Sequence, residues 1–323
     1  ISTAAISNTP ENSSAVATIS ASDEDRNSVL TYSLVDSAGS KDEALLSIDS
    51  AIGTVTFVTA PNFESPSDLN ADNTVNFTVM VSDGALSTQS DYTFSITNVN
   101  EAPIISSASF SIAEQSTAVG SISASDPDAS TTLTFSLASG SAAVDDAKFS
   151  INSTTGAVSF LATPNFESPT DNGLDNIYNF TVNVSDGSLA SSQAVAVSVT
   201  NVNESPSFSI ASAQSYTENS AVIISVAASD PDASSSLTYS LSGTDASKFS
   251  ISSSGNLSFA AAPDYETPVD SGGNNIYNVS VGVSDGSISS TVSLVITVSD
   301  DTADNFGIKL PGKVAIAELK KES

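Results

Sequence analysis

Paired aspartates end a short alternating apolar run at three places in the chain. In "ISASDPDAS", residues 122–130, two carboxylates follow the run with no Lys, Arg or His among the neighbouring residues. The three pairs each have one residue between their members and are Asp23 and Asp25, Asp126 and Asp128, and Asp230 and Asp232. Carboxylates placed together in this way favour a hard cation held by oxygen, such as calcium or magnesium.

The composition narrows the chemistry further. The 323 residues include 37 Asp and Glu against 8 Lys and Arg, a formal charge of −29, which argues against partners with clustered phosphates, namely nucleic acid and anionic membranes. The chain has no Cys and no His, so disulfides, zinc sites, thiol nucleophiles and imidazole bases are excluded. No apolar run is long enough for a membrane span. An extracellular location stays open, because a protein there can be braced by something other than disulfides.

Internal repetition organises the whole chain with a period of about 100 residues, the size of a domain rather than of a solenoid repeat. "PNFESP" at 61–66 returns at 164–169 and becomes "PDYETP" at 263–268. The motifs "VSDG" and "TNVNE" recur in the same order. The predicted domains are three repeats at 1–103, 104–206 and 207–301, followed by a C-terminal tail or the start of a next element at 302–323.

Each repeat has the pattern of an all-β domain. In "YNFTVNVSDG", residues 178–187, apolar and polar residues alternate with a period of two, which predicts a strand with one buried face. About seven short strands per repeat favour a Greek-key, immunoglobulin-like β-sandwich. The joints are short and contain Pro103 or Pro206, so we expect three tandem sandwiches in an elongated array.

Five motifs recur in the same order: an early Glu, the Asp-x-Asp pair, the "NFE" or "DYE" triplet and the "SDG" aspartate in every repeat, and an Asn-x-Asn-Glu joint after the first and the second repeat. In this combination, residues 1 to about 301 resemble the cadherin-like repeats of large bacterial surface proteins. The resemblance implies Ca²⁺ ions between consecutive domains, held by the end of one domain, the joint, and the start of the next.

The resemblance assigns metal ligands to two junctions and two half-sites. The first junction would use Glu11, Glu64, Asn100, Glu101, Asp126, Asp128 and Asp186. The second junction would use Glu114, Glu167, Asn203, Glu204, Asp230, Asp232 and Asp285. The half-sites would be Asp23, Asp25 and Asp83 in the first repeat, and Glu218, Asp264 and Glu266 in the third. Each full junction gathers six carboxylates, a charge that up to three divalent ions would balance.

Departures from the family pattern predict fewer ions. Asn98 and Asn201 stand where the family's joint begins with Asp, and the joint is one residue shorter. We therefore expect two tight ions per junction rather than three, with dissociation constants of about 10⁻⁴–10⁻³ M, as in other extracellular modules. A second acidic loop follows each triplet, for example "DLNADN" at 68–73, and either binds an additional ion or forms a solvated Asx turn.

These observations predict a non-enzymatic, calcium-dependent structural or adhesion module, a rod-like stalk of a secreted bacterial surface protein. Its partners would be adjacent repeats or identical molecules arranged head to tail, with cell-surface glycans or proteins as further candidates. The alternative is a subunit of a surface filament or S-layer-like assembly, joined through the terminal half-sites. A third interpretation, a carbohydrate-binding module, is weakened by the absence of Trp. The half-sites favour excision from a longer array or head-to-tail assembly.

Overall fold

The computed structural model describes residues 6–25, 28–36, 42–107, 109–128, 131–138, 145–219, 223–232 and 236–302. The tail expected at 302–323 lies outside this part of the chain except for Thr302. The chain divides into two compact units, one formed by 1–164 and 170–199 and the other by 165–169 and 200–323. The first two sandwiches belong to the first unit and the third sandwich belongs to the second.

The first sandwich is built from two sheets. Its strands in the described residues are β1 Thr9–Pro10, β2 Ala15–Thr18, β3 Thr31–Leu34, β4 Leu46–Ile48, β5 Thr54–Phe57, β6 Thr74–Ser82 and β7 Ser87–Thr97. One sheet has the order β1-β7-β6-β3 and the other the order β2-β5-β4. β1 runs parallel to β7, and the other pairs are antiparallel.

The second sandwich repeats this arrangement and adds a small sheet at its start. Its strands are β8 Ile104–Ile105, β9 Ser109–Ala113, β10 Ala118–Ser121, β11 Ala124–Ser125, β12 Thr134–Leu137, β13 Phe149–Ile151, β14 Ala157–Phe160, β15 Ile177–Ser185 and β16 Ala190–Thr200. The two main sheets have the orders β12-β15-β16-β9 and β10-β14-β13. β8 pairs with β11, which ends directly before the aspartate pair, so the start of this repeat fixes the strand that carries Asp126.

The third sandwich has the same plan within the second unit. Its strands are β17 Ser207–Phe208, β18 Ala213–Thr217, β19 Ile223–Ser225, β20 Ala228–Ser229, β21 Thr238–Ser242, β22 Phe249–Ile251, β23 Asn256–Phe259, β24 Ile276–Ser284 and β25 Ser289–Ser299. The sheets have the orders β18-β25-β24-β21, β19-β23-β22 and β17-β20. The predicted all-β class and the three tandem Greek-key sandwiches are confirmed.

The alternating sequence pattern places the core as expected. Along β15 the side chains of Tyr178, Phe180, Val182 and Val184 are buried, while the residues between them are partly or fully exposed. Phe160 meets the Tyr178 ring edge to face, with the ring centroids 4.9 Å apart. Burying an aromatic or aliphatic side chain of this size contributes about 1.5–3 kcal/mol, so the two inner faces hold each sandwich together.

Short 3₁₀ turns link the two sheets of each sandwich, at Glu43–Leu45, Asp146–Lys148 and Ala246–Lys248. A buried aspartate precedes each turn, and in the first sandwich Asp42 accepts hydrogen bonds from the backbone N–H groups of Leu69 and Asn76. The sequence pattern did not predict these turns. Their consequence is that the long acidic loop after each triplet is fastened to the sandwich at a fixed place.

Candidate metal centre

Glu11 connects the first sandwich to the joint at the first junction. It follows β1, and its backbone N–H donates to the carbonyl of Thr97 at 3.0 Å, which continues the parallel pairing with β7. Its carboxylate accepts the backbone N–H of Phe63 at Oε2 and that of Val99 at Oε1, both at 2.8 Å. The side chain is 2 % exposed. One buried carboxylate therefore holds together the strand, the triplet that contains Glu64, and the joint.

Three glutamates converge at this point. One oxygen each of Glu11, Glu64 and Glu101 lies within 4.8 Å of the others. Asn12 adopts a left-handed conformation, φ +60°, and its Nδ2 donates to Glu101 Oε1 at 2.7 Å. Within the described ranges, no hydrogen-bond donor reaches the buried oxygens Glu64 Oε2 and Glu101 Oε2. Two buried carboxylate oxygens thus face a group of like charges without a partner.

The second sandwich contributes the aspartates of the same junction. Asp128 is 8 % exposed and accepts Asn98 Nδ2 at 2.7 Å and the backbone N–H of Glu101 at 2.8 Å. Asp126 Oδ1 accepts the backbone N–H of Asp128 at 2.9 Å. Its other oxygen, Oδ2, is buried and has no hydrogen-bond partner in the described part of the chain. The Asp-x-Asp pair is therefore held against the joint with one oxygen left over.

The SDG aspartate completes this set. Asp186 Oδ2 accepts Asn100 Nδ2 at 2.7 Å, and its Oδ1 accepts the backbone N–H of Leu189 at 2.6 Å. Together with the N–H of Ser188, these bonds lower the pKa of Asp186 below its ordinary value. The structure therefore brings every predicted residue of the first junction into one linked group, in which the joint contacts both the glutamate cluster and the aspartates.

Charge crowding shows in the pKa values of the glutamates. Burial raises the pKa of Glu64, and the negative charges of Glu11, Glu101 and Asp128 raise it further. Burial also raises the pKa of Glu101, with added contributions from Glu11 and Asp128. The charge of Asp128 affects both glutamates, so the two halves of the junction interact electrostatically.

The donor set fits a hard divalent cation. Every group that converges at the first junction is a carboxylate, a side-chain amide or the backbone, and three buried carboxylate oxygens, Glu64 Oε2, Glu101 Oε2 and Asp126 Oδ2, have no donor in the described residues. Calcium accepts six to eight oxygen ligands in irregular geometry, whereas magnesium requires a tight octahedron. A buried charge is normally paired or coordinated, and the described residues supply no cation here.

In the second unit, the joint and the aspartates repeat this geometry. Asp232 accepts Asn201 Nδ2 at 2.7 Å and the backbone N–H of Glu204 at 2.8 Å. Asp285 Oδ2 accepts Asn203 Nδ2 at 2.8 Å, and its pKa is lowered by the N–H groups of Ile288 and Ser287 and by Asn203. Asp230 Oδ2 is again buried, with no hydrogen-bond partner among the described residues. The sequence showed Asn98 and Asn201 only as departures from the family pattern. In the structure, each donates a hydrogen bond from the joint to an aspartate of the following sandwich.

The other predicted ligands of the second junction belong to both units. Glu114 follows β9 in the first unit and is 2 % exposed. Glu167 lies in the segment 165–169, which groups with the second unit, as does Glu204.

The lower half-site of the third repeat lies wholly in the second unit. Glu218 is buried and accepts the backbone N–H of Tyr265 at 2.6 Å and that of Asp301 at 2.9 Å. One oxygen each of Glu218, Asp264 and Glu266 lies within 4.8 Å of the others, and the last two residues are exposed.

The upper half-site of the first repeat lines an open pocket. Asp25 donates its backbone N–H to Asp23 Oδ1 at 2.7 Å, and Asp83 Oδ1 accepts the N–H of Leu86 at 2.6 Å. These aspartates and the side chains of Leu30 and Leu86 border a cavity of ≈ 330 Å³. The predicted half-site residues are therefore neighbours in space.

Hydrogen bonds from backbone N–H groups to carboxylates close the second acidic loop, and they include an Asx turn in which Asp72 Oδ1 accepts the backbone N–H of Thr74 at 2.8 Å. Asp68 is buried, and its carboxylate accepts the backbone N–H groups of Asp72 at 2.8 Å and Asn73 at 3.2 Å. Asn73 has φ +61°, and its Nδ2 donates to the carbonyl of Phe63 at 2.9 Å. The contacts favour the turn interpretation over an additional ion. The loop holds the triplet that carries Glu64, a positioning role that sequence reasoning missed.

The fold and these linked carboxylate groups describe a class of protein: tandem β-sandwich repeats whose fold resembles that of cadherin repeats. Residues 100–200 match the protein family described as Bacterial Ig domain. No curated protein sequence matches the chain. Within the described residues, no helix has the length and apolar character needed to cross a membrane.

Solved structures with a similar fold include cadherin ectodomains. The crystal structure of mouse cadherin-23 EC22–24 is 24 % identical, with a TM-score of 0.50, over 92 % of this chain and 96 % of that one. Protocadherin gamma B2 extracellular domains 1–5 are 22 % identical, with a TM-score of 0.52, over 91 % of this chain and 57 % of theirs. At this identity the likeness concerns the fold, and the function rests on the residues of this chain.

Proposed function

We propose that the chain is a calcium-braced structural segment of an extracellular surface protein. The fold adds an analogy, because many cell-surface domains share this sandwich architecture, while the function itself is argued from the site. The observation that carries the calcium proposal is the group of buried carboxylate oxygens at the first junction that have no donor among the described residues, Glu64 Oε2, Glu101 Oε2 and Asp126 Oδ2.

Electrostatics gives the reason for an ion. Two unit charges 4.8 Å apart, the limit within the glutamate cluster, repel by about 3.5 kcal/mol at an effective dielectric of about 20. The aspartates on the other side of the joint add to this repulsion. A calcium ion would be held by Glu11, Glu64, Glu101 and Asp126, with Asp128 and Asp186 completing the upper side, and would convert repulsion into attraction.

Calcium would act mechanically. Residues 98–101 would be fixed to both neighbouring sandwiches, so that the joint resists bending and proteolysis. Repetition of the junction would give a rod-like stalk that sets the reach and spacing of whatever the protein presents. The acidic surface, with a formal charge of −29, suits a partner that is neither nucleic acid nor an anionic membrane. Cell-surface proteins or glycans remain the proposed partners.

Calcium calorimetry and limited proteolysis of the full chain test this function. We expect calcium binding with a dissociation constant of about 10⁻⁴–10⁻³ M and cleavage within 97–103 that chelator accelerates. Asp126→Asn should weaken binding at the first junction. The matched control is Asp49→Asn, because Asp49 accepts the backbone N–H groups of Ala51 and Ile52 in a turn outside the junction. Equal cleavage rates with calcium and with chelator would exclude the bracing role.

A second candidate function is a subunit of a surface filament or layer that assembles head to tail. The observation that favours it is the pocket of ≈ 330 Å³ bordered by Asp23, Asp25 and Asp83. The equivalent aspartates of the second repeat, Asp128 and Asp186, bind the preceding joint through hydrogen bonds. Size-exclusion chromatography separates the candidates: a filament subunit forms larger species as concentration and calcium rise, whereas a stalk stays monomeric.

A further inference from the structure

The joint between the first two sandwiches is fastened by hydrogen bonds that need no ion. Asn98 Nδ2 donates to Asp128 Oδ1 at 2.7 Å, and the backbone N–H of Glu101 donates to Asp128 Oδ2 at 2.8 Å. Asn100 Nδ2 adds a third bond, to Asp186 Oδ2 at 2.7 Å. Both oxygens of the buried Asp128 therefore accept hydrogen bonds from the joint, and its charge strengthens them.

The next joint repeats the arrangement in the second unit. Asn201 Nδ2 lies 2.7 Å from Asp232 Oδ1, and the backbone N–H of Glu204 lies 2.8 Å from Asp232 Oδ2. Asn203 Nδ2 donates to Asp285 Oδ2 at 2.8 Å. The same three contacts form at both joints, two of them at identical distances and the third at 2.7 Å and 2.8 Å, which indicates a built feature of the repeat rather than a chance surface contact.

The chemistry depends on asparagine at the first position of the joint. An amide at 2.7 Å from a carboxylate donates a charge-assisted hydrogen bond, whereas a second carboxylate at that place would repel it and require a cation between the two. The third repeat has an aspartate at the corresponding position, because Asp300 directly follows β25 as Asn98 directly follows β7.

We propose that Asn98 and Asn201 are latch residues, which keep each joint attached to the following sandwich when no ion is bound. Ion binding then tightens a junction that is already formed instead of creating it. The identity of this one residue determines how strongly a joint depends on calcium. The latch itself requires no calcium, and only its effect on calcium dependence rests on the proposed function.

Hydrogen exchange of the full chain in chelator tests the latch at the backbone N–H of Glu101. In the unmodified chain we expect this amide to exchange slowly, because it donates to Asp128 Oδ2. N98D should make its exchange at least about tenfold faster, since a hydrogen bond to a charged group is replaced by repulsion. N98A, which removes the amide without adding charge, should fall between the two. N201D is the matched control and should change Glu204 but not Glu101.

The amides of β15 and β16 report whether the second sandwich stays folded, and their protection should be the same in all variants. Exchange of the Glu101 amide at the free-peptide rate in chelator, or at the same rate in N98D and the unmodified chain, would overturn the latch. Calcium should restore protection in N98D. If calcium binds nowhere, the proposed function fails while the chelator result still decides the latch.

Discussion

Glu64→Gln should affect the first sandwich in opposite ways with and without calcium. The substitution keeps the shape of the side chain and removes one charge from the cluster with Glu11 and Glu101. In chelator, the loss of repulsion should stabilise the folded chain. In calcium, the loss of a charged ligand should shrink the stabilisation that the ion provides. A carboxylate that served only as a hydrogen-bond acceptor would give neither effect.

The geometry sets the magnitudes. Each glutamate pair within 4.8 Å repels by about 3.5 kcal/mol at an effective dielectric of about 20, and exposed pairs contribute less than about 1 kcal/mol. Because Glu64 is partly exposed, we expect a gain of about 1–2 kcal/mol in chelator. Calcium at a hundredfold excess over its dissociation constant stabilises by about 2.7 kcal/mol per ion. Each tenfold loss of affinity in the variant subtracts about 1.4 kcal/mol from that increment.

Native-state hydrogen exchange of β6 and β7 measures the free energy of opening of the first sandwich separately from the others. The control is Glu43→Gln, because Glu43 accepts the backbone N–H of Thr78 at 3.0 Å and does not belong to the cluster. It should leave the calcium increment unchanged. The reasoning would be refuted if Glu64→Gln destabilised the chain in chelator, or if the calcium increments of the two variants were equal.

Two further predictions concern the same junction. Asn73→Ala should lower the calcium affinity of the first junction by about tenfold, because the lost amide held the Phe63 carbonyl and thereby positioned Glu64. Calorimetry measures the affinity, and Asn275→Ala is the matched control in the third repeat. An unchanged affinity would contradict the positioning role of Asn73. In chelator, stability should fall as pH rises through and above 4.5, since the folded chain holds the protons of Glu64 and Glu101 more tightly than the unfolded chain does. Calcium should abolish or reverse this trend because it displaces those protons. Denaturant melts at several pH values measure the free energy of unfolding, and the same dependence of that free energy on pH with calcium and with chelator would contradict the prediction.

The strand pattern was predictable because burial in a two-layered sandwich leaves a period of two in the sequence. β15 follows that pattern from Tyr178 to Val184 and β16 follows it from Val195 to Val199, and the repeated motifs predict the number of sandwiches. The early Glu, the triplet and the Asp-x-Asp pair are far apart in sequence, and repetition with the family resemblance predicted that they meet. At the first junction, the structure places all of them in one group.

The remaining features depend on contacts between distant residues that no local pattern records. The 3₁₀ turn at Glu43–Leu45 forms where the Asp42 carboxylate accepts the backbone N–H groups of Leu69 and Asn76, which are 27 and 34 residues further along the chain. The role of Asn98 was hidden for the same reason: the sequence shows a lost carboxylate, and only the structure shows the hydrogen bond gained to Asp128. Asx turns and ion-binding loops use the same residue types, so the loop after the triplet stayed ambiguous until its hydrogen bonds were known.

The most direct test of the calcium junction is an anomalous difference map from crystals of the chain grown with calcium. We expect calcium peaks at the first junction within about 2.3–2.6 Å of Glu64 Oε2, Glu101 Oε2 and Asp126 Oδ2. A well-ordered junction with only water beside those three oxygens would contradict this expectation.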